Sequence, residues 1–114
     1  MSFVTVESDA ALAAATAELF VADPNVRVLQ GDWAGQMPAE APFDLLFVDA
    51  RAAKADPGAV ALLAPGGTAV LDDLTPGRSG PDPVRELWLG HPDLAAVEVT
   101  LGRDEAAILA VRVL

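Results

Sequence analysis

Residues 43–50 read FDLLFVDA. Leu45, Leu46, Phe47 and Val48 follow one another without polar alternation, and the run stops at Asp49. A continuous apolar run of this length suits a central parallel strand buried on both faces, since helices cover both sides of such a sheet. Its acidic tip matters as much as its body, because ligands in open α/β sheets collect at the carboxyl ends of the strands.

The same arrangement recurs on both sides. Upstream, Phe3–Val6 is a strand-like run ending at Glu7, and Ser8 or Asp9 can cap a following helix. In that helix Leu12, Ala15, Thr16, Leu19 and Phe20 fall on one stripe, so a buried face is expected, with Pro24 as the stop. Val26–Gln30 (VRVLQ) is a second β-rich run, followed directly by Gly31-Asp32-Trp33. Downstream, Asp56-Pro57 opens a short helix that Pro65-Gly66-Gly67 is expected to close. TAVLDDL is a further strand carrying Asp72 and Asp73. Asp82-Pro83 starts another helix, with Val84, Leu87 and Trp88 on its apolar face and Gly90 at its end. Val97, Val99 and Leu101 alternate with Glu98 and Thr100, Gly102-Arg103-Asp104 can turn the chain, and AAILAVRVL returns as an antiparallel hairpin. Thr75–Pro83 is the most loop-like segment.

The order is strand, helix, strand, strand, helix, strand, helix, hairpin. It predicts an α/β fold, mostly parallel with an antiparallel C-terminal edge. At 114 residues the whole chain, 1–114, reads as one domain. Apolar residues make up 53%, which excludes a disordered chain. A formal charge of −10 argues against nucleic acid and anionic membranes as partners. There is no cysteine, hence no disulfide, thiolate metal site or cysteine nucleophile. No apolar run is long enough to span a bilayer, and a cytoplasmic location is expected. His91 sits beside a helix end and reads as a solvated loop residue.

The acids Glu7, Asp32, Asp49, Asp72 and Asp73, each at a strand tip, resemble the set found in class I S-adenosylmethionine-dependent methyltransferases, of the catechol and caffeoyl-CoA O-methyltransferase type. The resemblance covers nearly the whole chain and implies a partial Rossmann-like sheet. It implies that Glu7 holds the ribose hydroxyls and that Gly31, Asp32 and Trp33 form the adenine side. It places Asp49 beside the methyl donor, as both a cofactor-binding and a catalytic residue. It also implies that Asp49, Asp72 and Asp73 are ligands for Mg²⁺, an oxygen-loving cation that could lower the pKa of an acceptor hydroxyl. Asp73 stands where the family writes Asn. The basic residue usual after the fourth-strand motif is missing, with Lys54 as the substitute.

The family's first strand and Gly-rich turn have no counterpart, and no G-x-G occurs. The reading is therefore an N-terminally truncated methyltransferase fold whose parent would methylate a hydroxyl of a small-molecule acceptor. Weak cofactor binding is expected of this chain alone. The alternative is a non-catalytic remnant serving as a binding or oligomerisation module. A phosphorelay receiver fits less well, because its acidic pair precedes the phosphoacceptor strand. With the first strand missing, the strands at Val4–Val6 and Leu45–Val48 are expected to pair directly, and the bare sheet face to favour a homodimer.

Overall fold

The computed structural model describes residues 1–114. The chain divides into two compact units, Met1–Glu40 and Ala41–Leu114. No helix is long and apolar enough to cross a membrane.

In the first unit, β1 (Phe3–Glu7) and β2 (Val26–Gln30) pair in parallel, with Phe3 opposite Val26 and Glu7 opposite Gln30. The crossover between them is α1 (Ala10–Leu19). Asp9 is its N-cap, and the Asp9 carboxylate accepts from the Leu12 amide at 2.9 Å, satisfying one of the orphan donors of the first turn. The helix forms where the sequence places it, but its expected buried stripe does not. Only Ala13 is buried, while Leu12 and Leu19 are 58% and 77% exposed. The Asp9 cap and the alanine-rich turns favour the helix locally, but a helix of 10 residues that buries so little is marginal in water. A short helix, α2 (Trp33–Gln36), and one 3-10 turn through Met37–Ala39 complete the unit. Arg27 forms an ion pair with Glu40, and that hydrogen bond holds the Glu40 carboxyl below its ordinary range.

The second unit is a four-stranded sheet in the order β3-β4-β6-β5, from β3 (Phe43–Val48), β4 (Leu63–Leu74), β5 (Leu94–Thr100) and β6 (Ala106–Arg112). β3 and β4 are parallel; β4 with β6 and β5 with β6 are antiparallel, as the hairpin pattern predicts. The helices α3 (Arg51–Lys54) and α4 (Pro57–Val60) lie between β3 and β4, and α5 (Pro83–Gly90) between β4 and β5. Asp56 and Asp82 cap α4 and α5 through the Gly58 and Arg85 amides. Pro65-Gly66-Gly67 does not end a helix. It lies inside β4, where the ladder with β3 jumps from Phe43–Leu63 to Leu45–Thr68. Gly67 is required there, since a Cβ would come within 2.7 Å of the Phe43 carbonyl oxygen and 2.9 Å of that of Ala64.

The strands thus form two sheets, one of two strands and one of four. Pairing between Val4–Val6 and Leu45–Val48 is not among the ladders: β1 pairs only with β2 and β3 only with β4, and each keeps one unpaired edge. β3 is consequently an edge strand of its sheet, not the central strand its composition predicts. The core lies on one face. Val48, Leu71 and Ile108 stand in register across three strands and are buried with Ala69, Ala110 and the fully buried Trp88 of α5. On the opposite face Phe47, Val70, Leu109 and Val97 form a second row, in which Phe47 and Val97 are more than half exposed.

Candidate functional site

The parallel ladder of the first unit brings two of the expected residues together. The Gly31 amide donates to the Glu7 carbonyl at 2.9 Å, so Glu7 and the Gly31-Asp32-Trp33 turn leave adjacent strands side by side at their carboxyl ends. Gly31 has φ +148°, a conformation that favours glycine. The Glu7 carboxylate is half-buried, and Oε1 accepts from the Asp9 amide at 3.0 Å, which fixes the side chain and leaves lone pairs free. Asp32 is exposed and makes no side-chain hydrogen bond at the start of α2, so its carboxylate is uncommitted. Trp33 is half-buried as the first residue of α2. Gln30 Nε2 donates to the Ser8 carbonyl at 3.1 Å, a second tie between the two strand ends.

In the second unit, Asp49 follows β3 directly and is exposed. Asp72 and Asp73 lie inside β4, not at its tip. Between the Leu71–Ile108 and Leu74–Ala106 pairs, β4 carries two residues and β6 only one, so Asp72-Asp73 is a β-bulge. Asp73 is the one non-glycine residue with positive φ, at 58°. Such conformations are sparsely populated even for aspartate and concentrate at functional sites. An open cleft of about 210 Å³ lies against this bulge, lined by Asp49, Arg51, Lys54, Asp73, Arg78 and Asp82 among others.

The expected Mg²⁺ ligands are not assembled. No group of three or more carboxylate or imidazole side chains is close enough to hold a metal ion. A cation of the chain's own stands at Asp72 instead. Lys54 Nζ donates to the Asp72 carbonyl at 2.6 Å and lies 4.0 Å from Asp72 Oδ1. The donor set therefore does not fit an octahedral dication that needs oxygen ligands at about 2.1 Å.

A second polar centre beside the cleft was not foreseen from the residues. Arg85 donates Nε to Glu98 Oε1 at 2.6 Å, Nη1 to Asp82 Oδ2 at 2.7 Å and Nη2 to the Thr75 carbonyl at 2.7 Å. The hydrogen bond from Arg85 holds the Asp82 carboxyl below the usual aspartate range. The signals for this centre were the spacing from the cap Asp82 to Arg85 at the start of α5 and the one acid, Glu98, set among the valines of β5. Arg51 and Arg78 were also unforeseen as cleft residues.

No protein-family model matches the chain, and no curated protein does. Solved structures do. Cofactor-bound Rv0187 from MTB is 26% identical with a TM-score of 0.73, over 98% of this chain and 62% of that one. A methyltransferase from Geobacter sulfurreducens gives 17% and 0.73, over 97% and 58%. SAH-bound methyltransferase PaMTH1 from Podospora anserina gives 21% and 0.68, over 98% and 60%. A caffeoyl-CoA O-methyltransferase candidate from Staphylococcus aureus is also similar, at 15% and 0.65. The fold is that of the S-adenosylmethionine-dependent methyltransferases, as the strand-tip acids implied. The chain spans about three fifths of the length of these structures.

Proposed function

We propose that this chain carries the adenosine-binding and acceptor-side strands of an S-adenosylmethionine-dependent methyltransferase acting on a hydroxyl of a small molecule. The observation that carries the reading is the pairing of Glu7 with Gly31-Asp32-Trp33 at the carboxyl ends of two parallel strands, with the Asp32 carboxylate uncommitted. A carboxylate with free lone pairs accepts two ribose hydroxyls, and a second accepts from the adenine amino group. The fold shared with methyltransferases supports the class of reaction.

In that reaction the acceptor oxygen attacks the methyl carbon, the C–S bonding pair returns to sulfur, and the hydroxyl proton leaves to a base. Asp49, exposed beside the cleft, is the residue we assign to that proton or to the charge that develops with it. Positioning supplies most of the acceleration for such a displacement.

The test is an amide-resolved NMR titration of the chain with S-adenosylmethionine. Weak binding is expected, with shifts centred on Gly31, Asp32 and Trp33. Glu7→Ala and Asp32→Ala should each weaken it by about tenfold, the equivalent of one lost hydrogen bond to a charged group. Unchanged affinity in both variants removes the assignment.

A further inference from the structure

We propose that Lys54 is the built-in cation of the β4 carboxylate edge, filling the place at Asp72 that a divalent metal would need and keeping such a metal out. The inference defines the cation requirement of the site described above. It rests on the methyl-transfer reading only for the meaning of that site, because its geometry belongs to the second unit by itself.

Lys54 is the only lysine in the chain, and its side chain is 9% exposed. Lysine is among the residues least often buried and is tolerated inside only with partners. Here the partners are specific. Nζ donates to the Asp72 carbonyl at 2.6 Å. Asp72 Oδ1, 4.0 Å away, is sealed from solvent and accepts no hydrogen bond, so the ammonium is its one close positive charge, while the Asp72 side chain as a whole is 44% exposed. The backbone under the lysine is fixed as well. The Lys54 amide donates to the Ala50 carbonyl at 3.1 Å, and the Lys54 carbonyl accepts from Nε1 of the fully buried Trp88 at 2.7 Å. A core tryptophan thus anchors the turn that delivers the ammonium.

A metal at Asp72 would have to share this space with a fixed positive charge. It would also lack further acids, since Asp49 and Asp73 do not converge there. A lysine ammonium balances a carboxylate as a point charge and demands no coordination geometry. In a site that handles a developing alkoxide, a fixed cation also favours the ionised form of a nearby hydroxyl. Lys54 is on this view a positioning residue that acts through Asp72.

Mn²⁺ is the probe, added to the isotope-labelled chain without cofactor, with paramagnetic broadening of the amide signals as the readout. In the unsubstituted chain, residues 72 and 73 should broaden no more than other exposed acids such as Asp104. Lys54→Met keeps most of the stem and removes the charge, and should raise Mn²⁺ affinity at Asp72 by about tenfold. Lys54→Arg keeps the charge and should show no gain. Equal broadening at Asp72 with and without the ammonium overturns the proposal. Should Lys54→Met fail to fold, Asp72→Asn decides: an unchanged Mn²⁺ response supports the proposal, and a response lost with Asp72 overturns it. No cofactor is present in these titrations, so a failure of S-adenosylmethionine binding leaves the result standing.

Discussion

The two units are built from the same kinds of element and held by different forces. Residues 41–114 bury a row of aliphatic side chains against Trp88, with Leu63, Leu71 and Ile108 fully enclosed. Residues 1–40 bury only Ala13 and Met37 among their apolar side chains, while Leu12, Leu19 and Val21 stand in solvent. The second unit is a core with strands attached. The first is a backbone ladder, a capped helix and an ion pair. Such structure is ordered by hydrogen bonds that are individually worth about 1 kcal/mol, so its local stability is low. The difference shows that a correct helix or strand assignment says nothing about what holds the element in place.

The largest expected effect separates the units by core truncation. Trp88→Ala removes a fully buried ring and the donor that holds the Lys54 carbonyl. It should cost about 3–5 kcal/mol. Leu19→Ala, on the exposed side of α1, should stay within about 0.5 kcal/mol. Urea denaturation followed by circular dichroism measures both. Comparable losses would mean that α1 is packed in solution and would erase the contrast.

Glycine substitutions sharpen it next. An added Cβ at Gly67 meets two backbone oxygens within the β4 irregularity, which cannot move aside. Gly67→Ala should cost about 1–3 kcal/mol, as overpacking does. At Gly31 the nearest atom is Gln36 Nε2 at 2.8 Å, the free end of a side chain that can swing away. Gly31→Ala then bears mainly the strain of φ +148°, about 1–3 kcal/mol, with no packing share. A Gly67→Ala chain of unchanged stability would show that the β4 irregularity gives way.

The smallest of the three concerns acid. Arg85 spans α5, β5 and the Thr75 carbonyl, with its side chain 17% exposed. Its hydrogen bond depresses the Asp82 carboxyl from an unfolded value of 3.8. A depressed carboxyl adds stability that is present above the unfolded value and is lost as pH falls through the folded one. The second unit should therefore weaken below about pH 4, and Asp82→Asn should flatten that part of the profile. In the first unit the Arg27–Glu40 pair has the same sign but is open to solvent, so Glu40→Gln should leave the profile almost unchanged. Thermal melts from pH 3 to 7, a range set around ordinary carboxyl values, compare the two.

Much of the fold was legible because its signals are local. Asp9, Asp56-Pro57 and Asp82-Pro83 announce helix starts through chemistry within a single turn, and the alternation at Val97–Leu101 declares a hairpin strand. The acids were readable in part: Glu7 ends β1 and Asp32 follows β2 by two residues, whereas Asp72 and Asp73 lie inside β4. What failed was everything decided by neighbours. FDLLFVDA has the composition of a central strand, yet Leu45 and Phe47 are 62% and 57% exposed, because sheet order and cover are not written in the strand. Pro65-Gly66-Gly67 has the local character of a helix stop and became a strand irregularity through its pairing with Phe43. Lys54 was noticed only as a substitute base. Its backbone carbonyl is held by Trp88, thirty-four positions away, and no periodicity records that hydrogen bond.

The row Phe47–Val70–Leu109–Val97 gives the second sheet one oily side and one sealed side. A plate of that kind is a surfactant. The chain should gather at air–water boundaries and bind phenyl resin at moderate ammonium sulfate. It should also be lost from dilute solution on shaking unless a non-ionic detergent is present. Replacing Phe47 with serine should bring earlier elution from the resin, and the purification itself then reports which face of the sheet is bare.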